Sequence, residues 1–170
     1  ETAPEAELPR GRSRFRRVEL QGVLPNAHVR VSVIAQPAKA GKGHTIFKPL
    51  LYVLDGVGNV RETLEPDPLS LDIRPFQPTR LNGCVAVKDL ERLIIATVPT
   101  APSAAYESAA RDAVSARSTG GFYYSTDAIK VKLPYAPTGE VVLEVLPADK
   151  DRAACVAGSG AKPVTTAKTG

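Results

Sequence analysis

The chain has 170 residues, 43% of them hydrophobic and 24% charged, with a formal net charge of +4. That length suits one domain, and the composition is globular rather than disordered or collagen-like. No apolar run approaches the roughly 20 residues of a membrane-spanning helix, and two His and two Cys exclude any site built from a cluster of those residues.

In chain order, residues 1–14 read as a flexible N-terminal arm, because Pro, Ala and Glu bury little apolar surface. The chain contains no Met, and its first nine residues lack an apolar stretch, so Glu1 is expected to follow a removed signal peptide. A chain boundary of another origin would look the same. Arg10, Arg12, Arg14, Arg16 and Arg17 then crowd into eight residues. They read either as a solvated edge that discourages strand pairing or as an arm for an acidic partner or anionic lipid surface. Residues 1–17 and 151–170 each carry a net +2, whereas 18–150 are balanced. A nucleic-acid binder would carry its basic patch on the folded body, so no nucleic-acid partner is expected.

Residues 15–150 read as a single domain of eight or nine short strands. In 28–35, Val29, Val31 and Val33 alternate with His28, Arg30 and Ser32, as in a half-buried strand. The continuous apolar run 50–54 predicts a strand covered on both faces. It ends in Asp55-Gly56-Val57-Gly58-Asn59, a hairpin loop, with 60–64 returning. Leu69, Leu71 and Ile73 alternate before Pro75 and Pro78. Two further strands, 84–87 and 93–98, are joined by the charged segment 88–92, and strands at 128–133 and 141–146 flank a turn at 134–139. Such spacing predicts an antiparallel β-sandwich, of jelly-roll or Ig-like type. One helix interrupts it: Tyr106, Ala109, Ala110, Ala113 and Val114 recur at helical spacing within 103–116, after a Ser103 cap. Residues 151–170 read as a low-complexity tail.

The motifs of catalysis and cofactor binding fail one by one. Gly56-Val57-Gly58 lacks a third glycine and a following helix, so it offers no pyrophosphate site. Around Gly41-Lys42-Gly43 a phosphate loop would need glycine at Gln36 and a hydroxyl at Gly43. Asp55 with Asn59, and Glu65 with Asp67, are too sparse for a calcium loop and read as a hairpin and a solvated acidic loop. His28 and His44 sit in no motif that supplies a nucleophile and an orienting carboxylate. No catalytic residue, metal ligand or cofactor is therefore expected. Cys84 and Cys155 either form a disulfide closing a long loop or remain a core residue and an exposed thiol. Export favours the disulfide. The one aromatic cluster, Phe122-Tyr123-Tyr124 beside Tyr135, offers Tyr123, Tyr124 and Tyr135 as a sugar platform; the alternative is that these rings pack inward.

Several segments resemble the maltose-operon periplasmic protein (MalM-like) family. They are Phe47-Lys48-Pro49-Leu50-Leu51-Tyr52-Val53-Leu54-Asp55, Arg80-Leu81-Asn82-Gly83, Leu93-Ile94-Ile95-Ala96-Thr97 and Ser118-Thr119-Gly120-Gly121, in that order over about 15–146. The resemblance implies a mainly β, non-catalytic protein of the bacterial periplasm or envelope, with a link to maltodextrin uptake and no catalytic residues to carry over. The chain departs from the family in ending soon after its low-complexity segment and in carrying the cysteine pair. The expected function is that of an accessory protein acting by contact with other envelope subunits, in a homo- or hetero-oligomer. The five arginines at 10–17 would supply its partner contacts. Maltodextrin binding is the alternative.

Overall fold

Two long strands carry the fold. In the computed structural model, which describes residues 3–39, 43–74, 76–101, 103–108, 115–117, 123–125, 131–148 and 155, β2 (Gly11–Ile34) and β8 (Arg80–Thr97) run antiparallel over most of their length. Their register changes once. Glu19 lies opposite Arg92 and Leu24 opposite Leu90, so residues 20–23 face only Glu91. A bulge of this kind bends and twists its strand, and Asp89 beside it takes a left-handed φ of 47°. Arg61 donates to the carbonyls of Lys88 and Asp89. Arg92 donates to the Gly56 carbonyl at 3.0 Å and to Glu19 at 3.1 Å. The charged segment therefore sits where the strand bends, with two guanidinium groups supplying donors.

On one side of the bend the sheet runs β1 (Glu5–Leu8), β2, β8, β5 (Pro49–Leu54) and β6 (Val60–Leu64). On the other side, β13 (Glu140–Pro147) flanks β2, and β7 (Ser70–Asp72) flanks β8. The result is a mainly β, antiparallel sheet curled into a half-barrel. Short pairs complete the described residues: β3 (Gln36–Pro37) with β4 (His44–Thr45), β9 (Ala105–Glu107) with β12 (Lys132–Pro134), and β10 (Ser115–Arg117) with β11 (Tyr123–Ser125).

Curling lets both halves share one core. Val29, Val31 and Val33 of β2 meet Leu81, Val85 and Val87 of β8, and Leu51, Val53, Leu93 and Ile95 close it from beyond the bend. A smaller cluster of Leu50, Tyr52 and Ala96 lies on the reverse face, under Leu8, Phe15, Ile94 and Val98. All of β5 is consequently buried, as its continuous apolar run predicts. The expected hairpin is also present: β5 pairs with β6, and Asp55 Oδ1 accepts from the Val57 and Asn59 amides at 3.0 and 2.8 Å.

Several expectations need correction. No helix occurs among the described residues; within 103–116, Ala105–Glu107 and Ser115–Arg117 are strands, while 109–114 lie outside the description. The reason is tertiary. An Ala stripe buries too little area to hold a short helix on a sheet, whereas as β9 the chain packs Tyr106 against the core with its hydroxyl donating to the Leu69 carbonyl at 3.2 Å. The two strands expected at 84–87 and 93–98 are one bent strand, β8. Leu69 is buried as its alternation implies, but Ile73 is 60% exposed because it lies beyond the end of β7. The segments flanking 134–139 pair with β9 and β2, not with each other, and 128–130 lie outside the described residues.

Within the stretch expected as a flexible arm, β1 pairs with Gly11–Arg14. Leu8 supplies the reason, since it packs on the smaller apolar cluster. Of the expected tail only Cys155 is described.

Candidate functional site

The border of β13 that faces away from β2 is the longest whole strand border without a strand partner among the described residues. The Ala148 amide donates to the Asn26 carbonyl at 3.0 Å, continuing the ladder between β13 and β2. Alternation along an antiparallel pair then directs the peptide groups of even-numbered residues to β2. Those of Val141, Leu143 and Val145 point away, and no described strand pairs with them. Pro147 has no amide to add to that row, as suits an edge. Side chains alternate as well: Val141, Leu143 and Val145 pack on the core, while Val142 is 49% exposed on the outer face.

That outer face continues across β2 and β8 into a polar cleft of about 670 Å³. Ser32 Oγ donates to Asn82 Oδ1 at 2.7 Å, and Asn82 Nδ2 donates to Asp72 Oδ2 at 3.4 Å. The Arg74 guanidinium grips Asp72 from the other side, at 3.1 Å from Nε and 3.0 Å in the second contact. These bonds from Arg74 first, then its charge and Asn82, hold the Asp72 carboxyl below the usual carboxylate range. Arg30 meets Glu144 of β13 at 3.5 Å. Arg80 Nε is enclosed and has no hydrogen-bond partner among the described residues. Alternation on β2 placed Arg30 and Ser32 on this face in advance. The row from Ser32 through Asn82 to Asp72 needed the register, which no local pattern supplies.

Cys84 and Cys155 border the same cleft and are joined, with their Cα atoms 5.4 Å apart. Disulfides form in oxidising compartments, and this pair is consistent with export. No described helix is long and apolar enough to cross a membrane.

The five arginines divide. Arg10 bonds Glu65 at 3.3 Å, and its amide donates to the Tyr52 hydroxyl at 3.3 Å. Glu65 also receives Lys48 at 3.0 Å and is only 17% exposed, so it is a partly buried clamp rather than a solvated loop residue. Arg12 pairs with Glu5 at 2.8 Å. Arg14 and Arg16 share one face of β2, and by alternation Arg17 lies on the other. Asp55 serves its hairpin: the Asn59 amide foremost, with Asn59 Nδ2 and the Val57 and Gly58 amides, holds its carboxyl low. No group of three or more His, Cys, Asp or Glu among the described residues is placed to hold a metal ion.

The tyrosines do not form a described platform. Tyr135 is half-buried against the core, and burial pushes its phenol up. Tyr123 and Tyr124 lie in β11, opposite Arg117 and Ala116, with side chains outside the description; Phe122 lies outside it altogether. In comparison with known proteins, no family model, no curated protein and no solved structure matches this chain.

Proposed function

We propose that this protein is a non-catalytic accessory module of the bacterial envelope that acts by protein–protein contact, receiving an extended segment of another subunit along β13. The carrying observation is the row of peptide groups at Val141, Leu143 and Val145, without a strand partner among the described residues, in an eight-residue strand. Such an edge binds a strand through main-chain hydrogen bonds and reads it through alternate side chains. The joined cysteines and the MalM-like segments support a periplasmic, exported setting. An added strand would extend the curled sheet towards the two-layer sandwich expected from the sequence.

The test is partner capture from the envelope with a photocrosslinker at position 144, an exposed position of the same strand. Capture should be lost with Val142→Lys, because an edge lysine blocks strand addition. It should persist with Val57→Lys, which changes an 84% exposed residue in the distant hairpin loop. Equal capture by both variants would refute the reading.

A second reading, a periplasmic maltodextrin-binding module, draws support from the outer-face cleft. Ser32, Asn82, Asp72 and Arg74 present paired hydrogen-bonding groups of the kind that hold sugar hydroxyls. Calorimetric titration with maltohexaose tests it, with Asn82→Ala expected to abolish the heat. A titration without saturable heat removes this reading.

A further inference from the structure

The loop of residues 73–79 joins β7 to β8 and is fixed at its base. Asp72 lies opposite Arg80 in register, and Arg74 grips Asp72 at 3.1 and 3.0 Å. The Ala35 amide donates to the Thr79 carbonyl at 2.9 Å. At the tip the Gln77 amide donates to the Arg74 carbonyl at 3.3 Å, closing a turn. Phe76 stands inside that turn with a left-handed φ of 60°. Gly or Asn takes this conformation readily, whereas a bulky ring there strains the backbone.

The strain brings Phe76 no burial. Its side chain is wholly in water, at 107% relative exposure, and Ile73 of the same loop is 60% exposed. Phe76 therefore weakens the free protein twice, through its backbone and through the apolar surface it leaves hydrated. The chemistry around it is graded. Charged side chains stop at the base, with Arg74 turned onto Asp72. From 75 to 79 no residue is charged, and Gln77 is the one exposed residue there with a hydrogen-bonding side chain. Pro75 and Pro78 carry no amide hydrogen, and the Gln77 amide is already bonded. Few bare donors would thus enter an apolar medium. The tip lies three or four residues from the base, a reach of at most roughly 10–13 Å. Interfacial segments enter a bilayer by roughly 5–10 Å, which this reach allows. A protein pocket would hold such a knob through paired polar groups as well, whereas a lipid surface asks only for apolar area.

We infer that the 73–79 loop anchors this protein to a lipid bilayer surface, with Phe76 and Ile73 entering the headgroup–acyl boundary. β7 and β13 lie on opposite borders of the β2–β8 pair, so this contact and strand addition at β13 can each fail without the other. Burial of one large apolar side chain is worth about ten- to a hundredfold in affinity. Two of them make a weak, reversible anchor, half-bound at about 0.1–10 mM lipid.

The chain contains no Trp, so Phe76→Trp supplies a single indole at the tip. Vesicles of phosphatidylethanolamine and phosphatidylglycerol are titrated into this variant while its emission is followed, with brominated acyl chains as quenchers. The emission should shift to the blue and be quenched. Val57→Trp, at the 84% exposed hairpin position beyond the bend, should show neither effect. In vesicle sedimentation Phe76→Gly should bind at least tenfold more weakly. Its thermal midpoint should rise, because glycine relieves the backbone and no packing is lost. Raised salt should leave most of the binding intact, since apolar area rather than charge holds the tip. An unmoved Phe76→Trp emission, equal quenching in Val57→Trp, or release by salt would each overturn the inference. So would unchanged binding or a lowered midpoint in Phe76→Gly. An indole that shifts with a lipid-free envelope extract but not with vesicles would overturn the lipid assignment in favour of a protein pocket.

Discussion

Gly83 of β8 lies directly beneath Pro66: a β-carbon at Gly83 would sit 2.8 Å from the Pro66 carbonyl oxygen and 2.8 Å from Leu69 Cδ2. The segment that follows β6 crosses the sheet there and brings Leu69 into the core. Backbone cannot yield as a side-chain tip can. Gly83→Ala should therefore destabilise the fold by about 1–3 kcal/mol, the usual cost of overpacking. Gly22 in the bulge has nothing within 4 Å of its added β-carbon and makes the control. Urea unfolding of both variants decides it, and equal midpoints would show that the crossing segment moves freely.

Val31 is fully buried at the centre of the shared core. Val31→Asp places an unpaired carboxylate there and should cost more than about 4 kcal/mol, enough to unfold a domain of ordinary stability. The same change at Val142, half-exposed on the outer face, should stay within about 0.5–1 kcal/mol. Circular dichroism with thermal melting distinguishes the two. A cooperatively folding Val31→Asp protein would mean that the concave face is not the core.

Joining Cys84 to Cys155, 71 positions apart, removes loop entropy worth about 4 kcal/mol from the unfolded chain. Reduction, or Cys84→Ser with Cys155→Ser, should lower Tm by on the order of 10 °C. Thiol titration of the unreduced protein should find no free thiol; two reactive thiols would refute the pairing.

Acid should weaken the fold through Asp55 and Asp72. Hydrogen bonds hold both carboxyls below their ordinary value when folded. A group depressed in the folded state contributes stability above its unfolded pKa, and that contribution disappears as pH falls through the folded one. The urea midpoint should therefore be insensitive to these two groups from pH 8 to about pH 5 and decline below about pH 4. Asp55→Ala should flatten the decline, and an unchanged slope in that variant would remove the Asp55 share of the argument.

What was legible in the sequence follows from the range of the signal. Val29, Val31 and Val33 announced their face because a strand repeats every two residues, and the two-sided burial of β5 followed from its unbroken apolar run. Asp55 and its glycines announced a hairpin because that chemistry is local. The bend opposite Glu91 was hidden, since a change of register belongs to two strands at once. The segment around Tyr106 misled because its Ala spacing favours a helix, while pairing with β12 and burial of one ring favour a strand. The outer-face row from Ser32 through Asn82 to Asp72 draws on three strands, so no single segment disclosed it.

β2 is paired on one border by β8 and, along its second half, by β13 on the other, so its completion waits on residues more than 100 positions later. A chain emerging amino-terminus first presents that half of β2 with one border bare until 140–147 arrive. Pairings between such distant segments form slowly, and an incomplete sheet with uncovered borders is prone to aggregate. That half of β2 is therefore the part of the sheet most open to mispairing until β13 is in place. Truncation before residue 140 should yield inclusion bodies rather than a shorter soluble domain.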